Sequence, residues 1–114
     1  MKALVKHFHS PDVDPPTGIV DDDAVLIDFF AGPADSPGAE SFSVLVCTPR
    51  WVTSELVQGQ VVDGRHRLFV ERIDLDAVQR HIREYVAQLD EPTWIELTDK
   101  IGRLGKWEFE DYRE

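Results

Sequence analysis

A few side chains in this sequence could do chemistry, and their spacing decides how much. His7 and His9 stand two apart on one face of a predicted strand, and His66 lies on another predicted strand, so a three-histidine metal site is conceivable. Such sites bring supporting carboxylate or cysteine ligands and partners that orient the rings, and none is evident beside these histidines. Cys47 paired with a histidine would imitate a thiol nucleophile, which needs a nearby base and an exposed sulfur of low pKa. It follows the apolar run Val44-Leu45-Val46, where cysteine behaves as a small buried hydrophobe. Ser41, Ser43 and Ser54 lack the strand-turn-helix context of an activated serine. Paired acids such as Asp21 with Asp23 or Glu108 with Glu110 would need an apolar pocket around one carboxyl to act as general acid, and they sit in polar segments. Asp12, Asp14 and Asp21 to Asp23 offer oxygens to calcium without the spacing, central glycine and terminal glutamate of an EF-hand loop. No glycine-rich phosphate loop, Cys-x-x-Cys or His-Glu-x-x-His occurs. The expectation is a non-enzyme without metal or cofactor.

The elements that must position these residues alternate between strand and helix signals. Lys2–His9 alternates as a strand; Ser10–Gly18, with three prolines, is a loop; Ala24–Ala31 is a central strand, and Ser41–Thr48 returns beside it as an antiparallel hairpin. Thr48-Pro49 opens a short helix with Trp51, Val52 and Leu56 near one face, and Gly59 closes it. Arg65–Arg72 reads as a fourth strand with one wet face. Asp74 caps a helix to about Leu89, with Leu75, Val78, Ile82, Tyr85 and Leu89 as its apolar stripe. Asp90 or Glu91 caps a further helix carrying Trp94, Leu97, Ile101 and Leu104, which Gly105 stops in the left-handed conformation. This order predicts an α+β fold: an antiparallel sheet of about four strands with the C-terminal helices packed on one face, as a single domain over residues 1–114.

With 114 residues, 42% of them hydrophobic, the chain can bury one real core without staples, and a lone cysteine cannot form an internal disulfide. The start, Met1 to His7, lacks an apolar leader region, and no apolar run approaches a membrane span, so a cytoplasmic location is expected. The 22 acids against 12 Lys plus Arg give a net charge of −10. Between Lys6 and Arg50 lie no Lys or Arg but Asp12, Asp14, Asp21, Asp22, Asp23, Asp28, Asp35 and Glu40, which puts −8 of that charge in one stretch. Such a field repels nucleic acid and anionic membranes and attracts a basic partner, although acidity also serves solubility alone.

The tail, Lys106–Glu114, alternates aromatic and acidic residues. Rings of this size are expected to bury against helices or sheet, while Glu108, Glu110, Asp111 and Tyr112 suit the anchoring of Arg and Lys from a partner. The candidate partner-binding residues are therefore Asp21, Asp22, Asp23, Trp107, Glu108, Glu110, Asp111 and Tyr112.

Four blocks carry a family resemblance: Lys2-Ala3 leading to His9-Ser10-Pro11-Asp12; Glu40-Ser41-Phe42-Ser43 through Val46-Cys47-Thr48-Pro49-Arg50-Trp51; Gly64–Glu71; and Gly102–Tyr112. With its Cys-Thr-Pro-x-Trp and Lys-Trp-Glu-Phe-Glu-Asp-Tyr runs, the chain resembles the immunity protein 8 family of bacterial polymorphic toxin systems across nearly its whole length. The resemblance implies a small cytoplasmic protein, encoded beside a toxin, that binds the toxin's effector domain without catalysis. It supplies no mapped binding residue. A cognate basic effector, a nuclease being one activity that suits the charge, is the expected partner; oligomeric state stays open. The Asp21–Asp23 run and the proline-rich loops look particular to this chain, and loops of that kind can encode partner choice. The alternative is an acidic interaction or regulatory module for another basic cytosolic protein, and gene neighbourhood separates the two. A small hydrolase would require a deep pocket with converging polar groups.

Overall fold

The computed structural model describes residues 1–110. Along the chain run β1 (Ala3–His9), β2 (Ile19–Val20), β3 (Ala24–Pro33), β4 (Glu40–Cys47), α1 (Pro49–Glu55), a 3₁₀ turn (Val57–Gly59), β5 (Arg67–Phe69), β6 (Ile73–Asp74), α2 (Leu75–Ala87), α3 (Trp94–Ile101) and β7 (Lys106–Trp107). The fold is α+β, as expected.

Alternation along β1, β3 and β4 sends one set of side chains to one face. Val25 registers with Val46, Ile27 with Val44, Phe29 with Phe42 and Phe8 with Phe29, all buried. Against this apolar face lie Leu75, Val78, Ile82 and Val86 of α2 and Leu97 and Ile101 of α3, forming one core. Each such side chain contributes about 1.5–3 kcal/mol on leaving water. The predicted stripe of α2 is correct at Leu75, Val78 and Ile82; Val86 completes it, while Tyr85 and Leu89 are half-buried at its margin. Tyr85 donates its hydroxyl to the Lys100 carbonyl at 2.7 Å, joining α2 to α3.

The sheet runs β1-β3-β4-β5, with β7 also on β4. It is antiparallel except where β5 meets β4: Leu45, Val46 and Cys47 register in parallel with Arg67, Leu68 and Phe69. A helix lies between these two strands, and a strand-helix-strand connection returns the chain in the same direction. Strand β5 is also shorter than the predicted Arg65–Arg72 at both ends; at its start His66 takes a left-handed φ of 59°, which no strand residue adopts. Helix α1 buries no residue completely; Trp51 stands over the Arg67 guanidinium at 5.7 Å, and Leu56 is exposed. Since Arg67 registers with Leu45 rather than with buried Val46, α1 lies on the face opposite α2 and α3.

Other departures have local causes. Thr93, not Asp90 or Glu91, caps α3, its hydroxyl accepting the Glu96 amide at 3.2 Å. Asp90 is instead bridged to Lys2, and Glu91 lies 3.7 Å from Lys100. Gly105 is not a left-handed stop; it allows a close approach. A Cβ there would sit 2.7 and 2.9 Å from the Phe29 ring, which stacks on Phe42 at 5.4 Å, and 3.2 Å from the Phe42 Cβ. Sequence reading also missed the small β2–β6 ribbon, which ties the proline-rich loop to the start of α2: Leu75 N–H donates to the Gly18 carbonyl at 2.8 Å and Gln79 Nε2 to that of Pro16 at 2.7 Å. The outer edge of β1 is blunted by an irregularity between Val5 and His7 and by Arg83, which donates to the Val5 carbonyl at 2.8 Å and lies 4.9 Å over the Phe8 ring.

Gly105→Ala forces a methyl into the Phe29–Phe42 stack, so it is expected to destabilise the fold by about 1–3 kcal/mol in urea unfolding. Arg103→Ala, at an exposed position two residues earlier, should stay within about 0.5 kcal/mol of wild type.

Candidate functional site

Half of the acids between Lys6 and Arg50 serve the fold. Where β1 ends, the Ser10 hydroxyl donates to the Leu26 carbonyl at 2.7 Å and Asp12 Oδ2 accepts the Leu26 amide at 2.8 Å, so two side chains continue the ladder in place of a strand. Asp28 receives the Ser43 hydroxyl at 2.7 Å and lies 3.1 Å from His9 Nδ1. Glu40 accepts the Trp107 indole N–H at 2.6 Å. Asp23 accepts the Thr48 hydroxyl at 3.1 Å while its carbonyl takes the Thr48 amide at 2.9 Å, which fixes the loop to the end of β4 and orients the cap of α1. Asp14, Asp21, Asp22 and Asp35 are exposed and make no hydrogen bond or ion pair among the described residues.

Asp21, Asp22 and Asp23 line a polar recess of about 210 Å³ together with Glu71, Arg50 and Arg72. The two arginines reduce the local negative charge, which the linear count between Lys6 and Arg50 hides. Arg72 comes close only because β2 pairs with β6, a long-range contact invisible in local pattern, whereas Arg50, two residues after the Thr48 cap, stood in plain view.

The tail behaves differently from a free recognition strand. Trp107 is half-buried against the core and meets Phe109 edge-on at 5.3 Å. The Glu108 amide donates to the Ser41 carbonyl at 2.9 Å while its carboxylate accepts the Ser41 amide at 3.0 Å. Glu110 receives Arg65 Nη2 at 2.9 Å, with His66 Nε2 at 3.6 Å. His66 Nε2 also lies 2.7 Å from the Gly102 carbonyl, which can only accept, so Nε2 carries a proton there, and the Arg65 Nε 3.4 Å away is a neighbour rather than a donor. Asp111 and Tyr112 lie outside the described residues. The loop is fixed at Thr48 and the start of the tail at Ser41, opposite ends of β4, so these two anchor points stand roughly 23 Å apart at about 3.3 Å per strand residue.

The histidines meet other partners and Cys47 lies in the core. His7 meets the Phe30 ring at 5.6 Å in a tilted arrangement, His9 faces Asp28, and His66 is engaged at Gly102; no group of three metal-ligating side chains gathers among the described residues. Cys47 is buried, and desolvation pushes its thiol above the ordinary range, with the Arg67 charge opposing in part. That keeps the sulfur protonated, the reverse of an activated nucleophile.

Residues 5–112 match the sequence profile of Immunity protein 8. The chain belongs to the immunity protein 8 family. Neither a curated protein nor a solved structure matches it. Members of this family are immunity proteins of toxin systems and bind cognate toxin effectors. Among the described residues no helix is long and apolar enough to cross a membrane.

Asp23→Ala removes an acceptor from the part-buried Thr48 hydroxyl and is expected to cost about 1 kcal/mol in denaturant unfolding. Asp22→Ala, exposed and unbonded, should change stability by less than about 0.5 kcal/mol. Equal costs for the two would contradict this division of the acidic loop.

Proposed function

We propose that this chain neutralises the effector domain of a cognate polymorphic toxin by stoichiometric, non-catalytic binding. Membership of the immunity protein 8 family over residues 5–112 carries the reading. The physical support is the separation of structural acids from available ones: Asp21 and Asp22 are exposed and unbonded beside Glu71, where a lysine or arginine of a partner can reach them. Asp23 holds that loop in place. Trp107, Glu108 and Glu110 brace the tail that leads into Asp111 and Tyr112, a second contact area in this proposal. The partner is a basic effector domain, and a nuclease suits the charge because a surface that grips phosphates is itself basic. Complementary charge of this kind speeds encounter more than it deepens affinity.

Co-expression with the toxin encoded beside the gene is expected to restore growth and yield a co-purifying complex; continued toxicity with no complex contradicts the proposal. The double variant Asp21→Lys, Asp22→Lys should lower the association rate by about tenfold at low salt and flatten its salt dependence, measured by stopped flow. An unchanged rate and salt slope would return the acidic loop to a role in solubility.

A further inference from the structure

Next to the acidic recess lies a second depression of different character. It holds about 220 Å³ and is lined mainly by apolar side chains, Leu68, Phe69 and Val70 from the β5 segment and Ala77 and Val78 from α2, with Arg72, Asp74 and His81 also in its wall. Arg72 lines both depressions, so the apolar one borders the one bearing Asp21, Asp22 and Glu71 at that side chain.

The wall on one side is an open strand edge. The Leu45 amide donates to the His66 carbonyl at 3.0 Å and the Val70 amide to the Cys47 carbonyl at 3.0 Å. In a parallel ladder alternate residues bond to one neighbour, so His66, Leu68 and Val70 face β4 while the N–H and C=O groups of Arg67 and Phe69 point away from it. No other described strand pairs with that side of β5. Exposed apolar side chains gather in the same part of the chain: Leu56, Val57, Val61 and Phe69 are between 47% and 93% exposed. An edge of this kind accepts an added strand, whose main chain bonds to it while alternate side chains enter pockets.

We propose that an extended segment of the toxin effector adds to the outer edge of β5, placing an apolar side chain in the depression between β5 and α2 and a lysine or arginine, a few residues along, against Asp21, Asp22 and Glu71. Charge complementarity selects this occupant: the adjoining recess carries four carboxylates against two guanidiniums, so the same segment must be apolar at one point and basic at the next. The inference rests on the immunity reading above and assigns its contact surface.

Two measurements on the full chain and the effector domain encoded beside its gene test it. Hydrogen exchange is expected to slow by tenfold or more at the Arg67 and Phe69 amides on complex formation, which contact through side chains alone would not cause. Ala77→Phe fills the depression from a half-exposed helix position; affinity should fall by at least tenfold while the thermal midpoint stays near that of the wild type. If the complex forms but both amides exchange as before and Ala77→Phe binds like the wild type, the strand-addition proposal is overturned and the immunity reading stands. If the wild-type chain and the effector domain form no complex at all, the immunity reading falls, and this inference with it.

Discussion

The approach of Gly105 to the stacked Phe29 and Phe42 rings is the contact on which the C-terminal part of the structure depends. No side chain fits between the last helix and this ring pair, so the chain leaving α3 is drawn flat against the sheet. From that point Lys106 and Trp107 must pair with Ser43 and Phe42, and Glu108 meets the Ser41 backbone. The edge of β4 is thereby shared end to end, with β7 at one end and β5 at the other. His66 and Arg65 then close the junction between them through Gly102 and Glu110. His66 occupies the left-handed region, a cost of order 1–3 kcal/mol that its ring contacts offset.

This arrangement changes what the acidity of the chain means. A net charge of −10 looks like a uniform field, yet Asp12, Asp23, Asp28, Glu40, Glu108 and Glu110 accept hydrogen bonds that hold loops, strands and tail together. Asp12, Asp23 and Glu108 satisfy an amide or hydroxyl at a strand end that would otherwise be left unpaired. The carboxylates that make no such bond are fewer, and among them Asp21 and Asp22 stand beside Glu71 in one recess. The acidic recess borders an apolar one at Arg72, which sets charge against apolar surface over a short distance.

Local periodicity was legible in the sequence and long-range pairing was not. Leu75, Val78 and Ile82 revealed α2, and Val25, Ile27 and Phe29 revealed β3, because burial of one face imposes a repeat on neighbouring residues. Thr48-Pro49 announced α1 for the same reason: a cap acts within three residues. The parallel partner of β4 was hinted at only by the helix between the two strands, and the β2–β6 ribbon by nothing local, since two strands of two residues each carry no repeat. The residues Asp23, Glu108 and Glu110 looked like surface acids because their partners, Thr48, Ser41 and Arg65, are 25, 67 and 45 positions away. The blocks that carry the resemblance to the immunity protein 8 family include Cys47-Thr48-Pro49, where β4 ends and α1 begins, and Lys106-Trp107, which forms β7.

The central claim is neutralisation by stoichiometric binding, and a titration of effector activity against this protein tests it most directly. With the effector held well above the dissociation constant, the account predicts a linear loss of activity ending at an equivalence point of one protein per effector domain, with both chains recovered intact from the complex. Inactivation of many effector molecules by each molecule of this protein, or undiminished activity at excess, would contradict it.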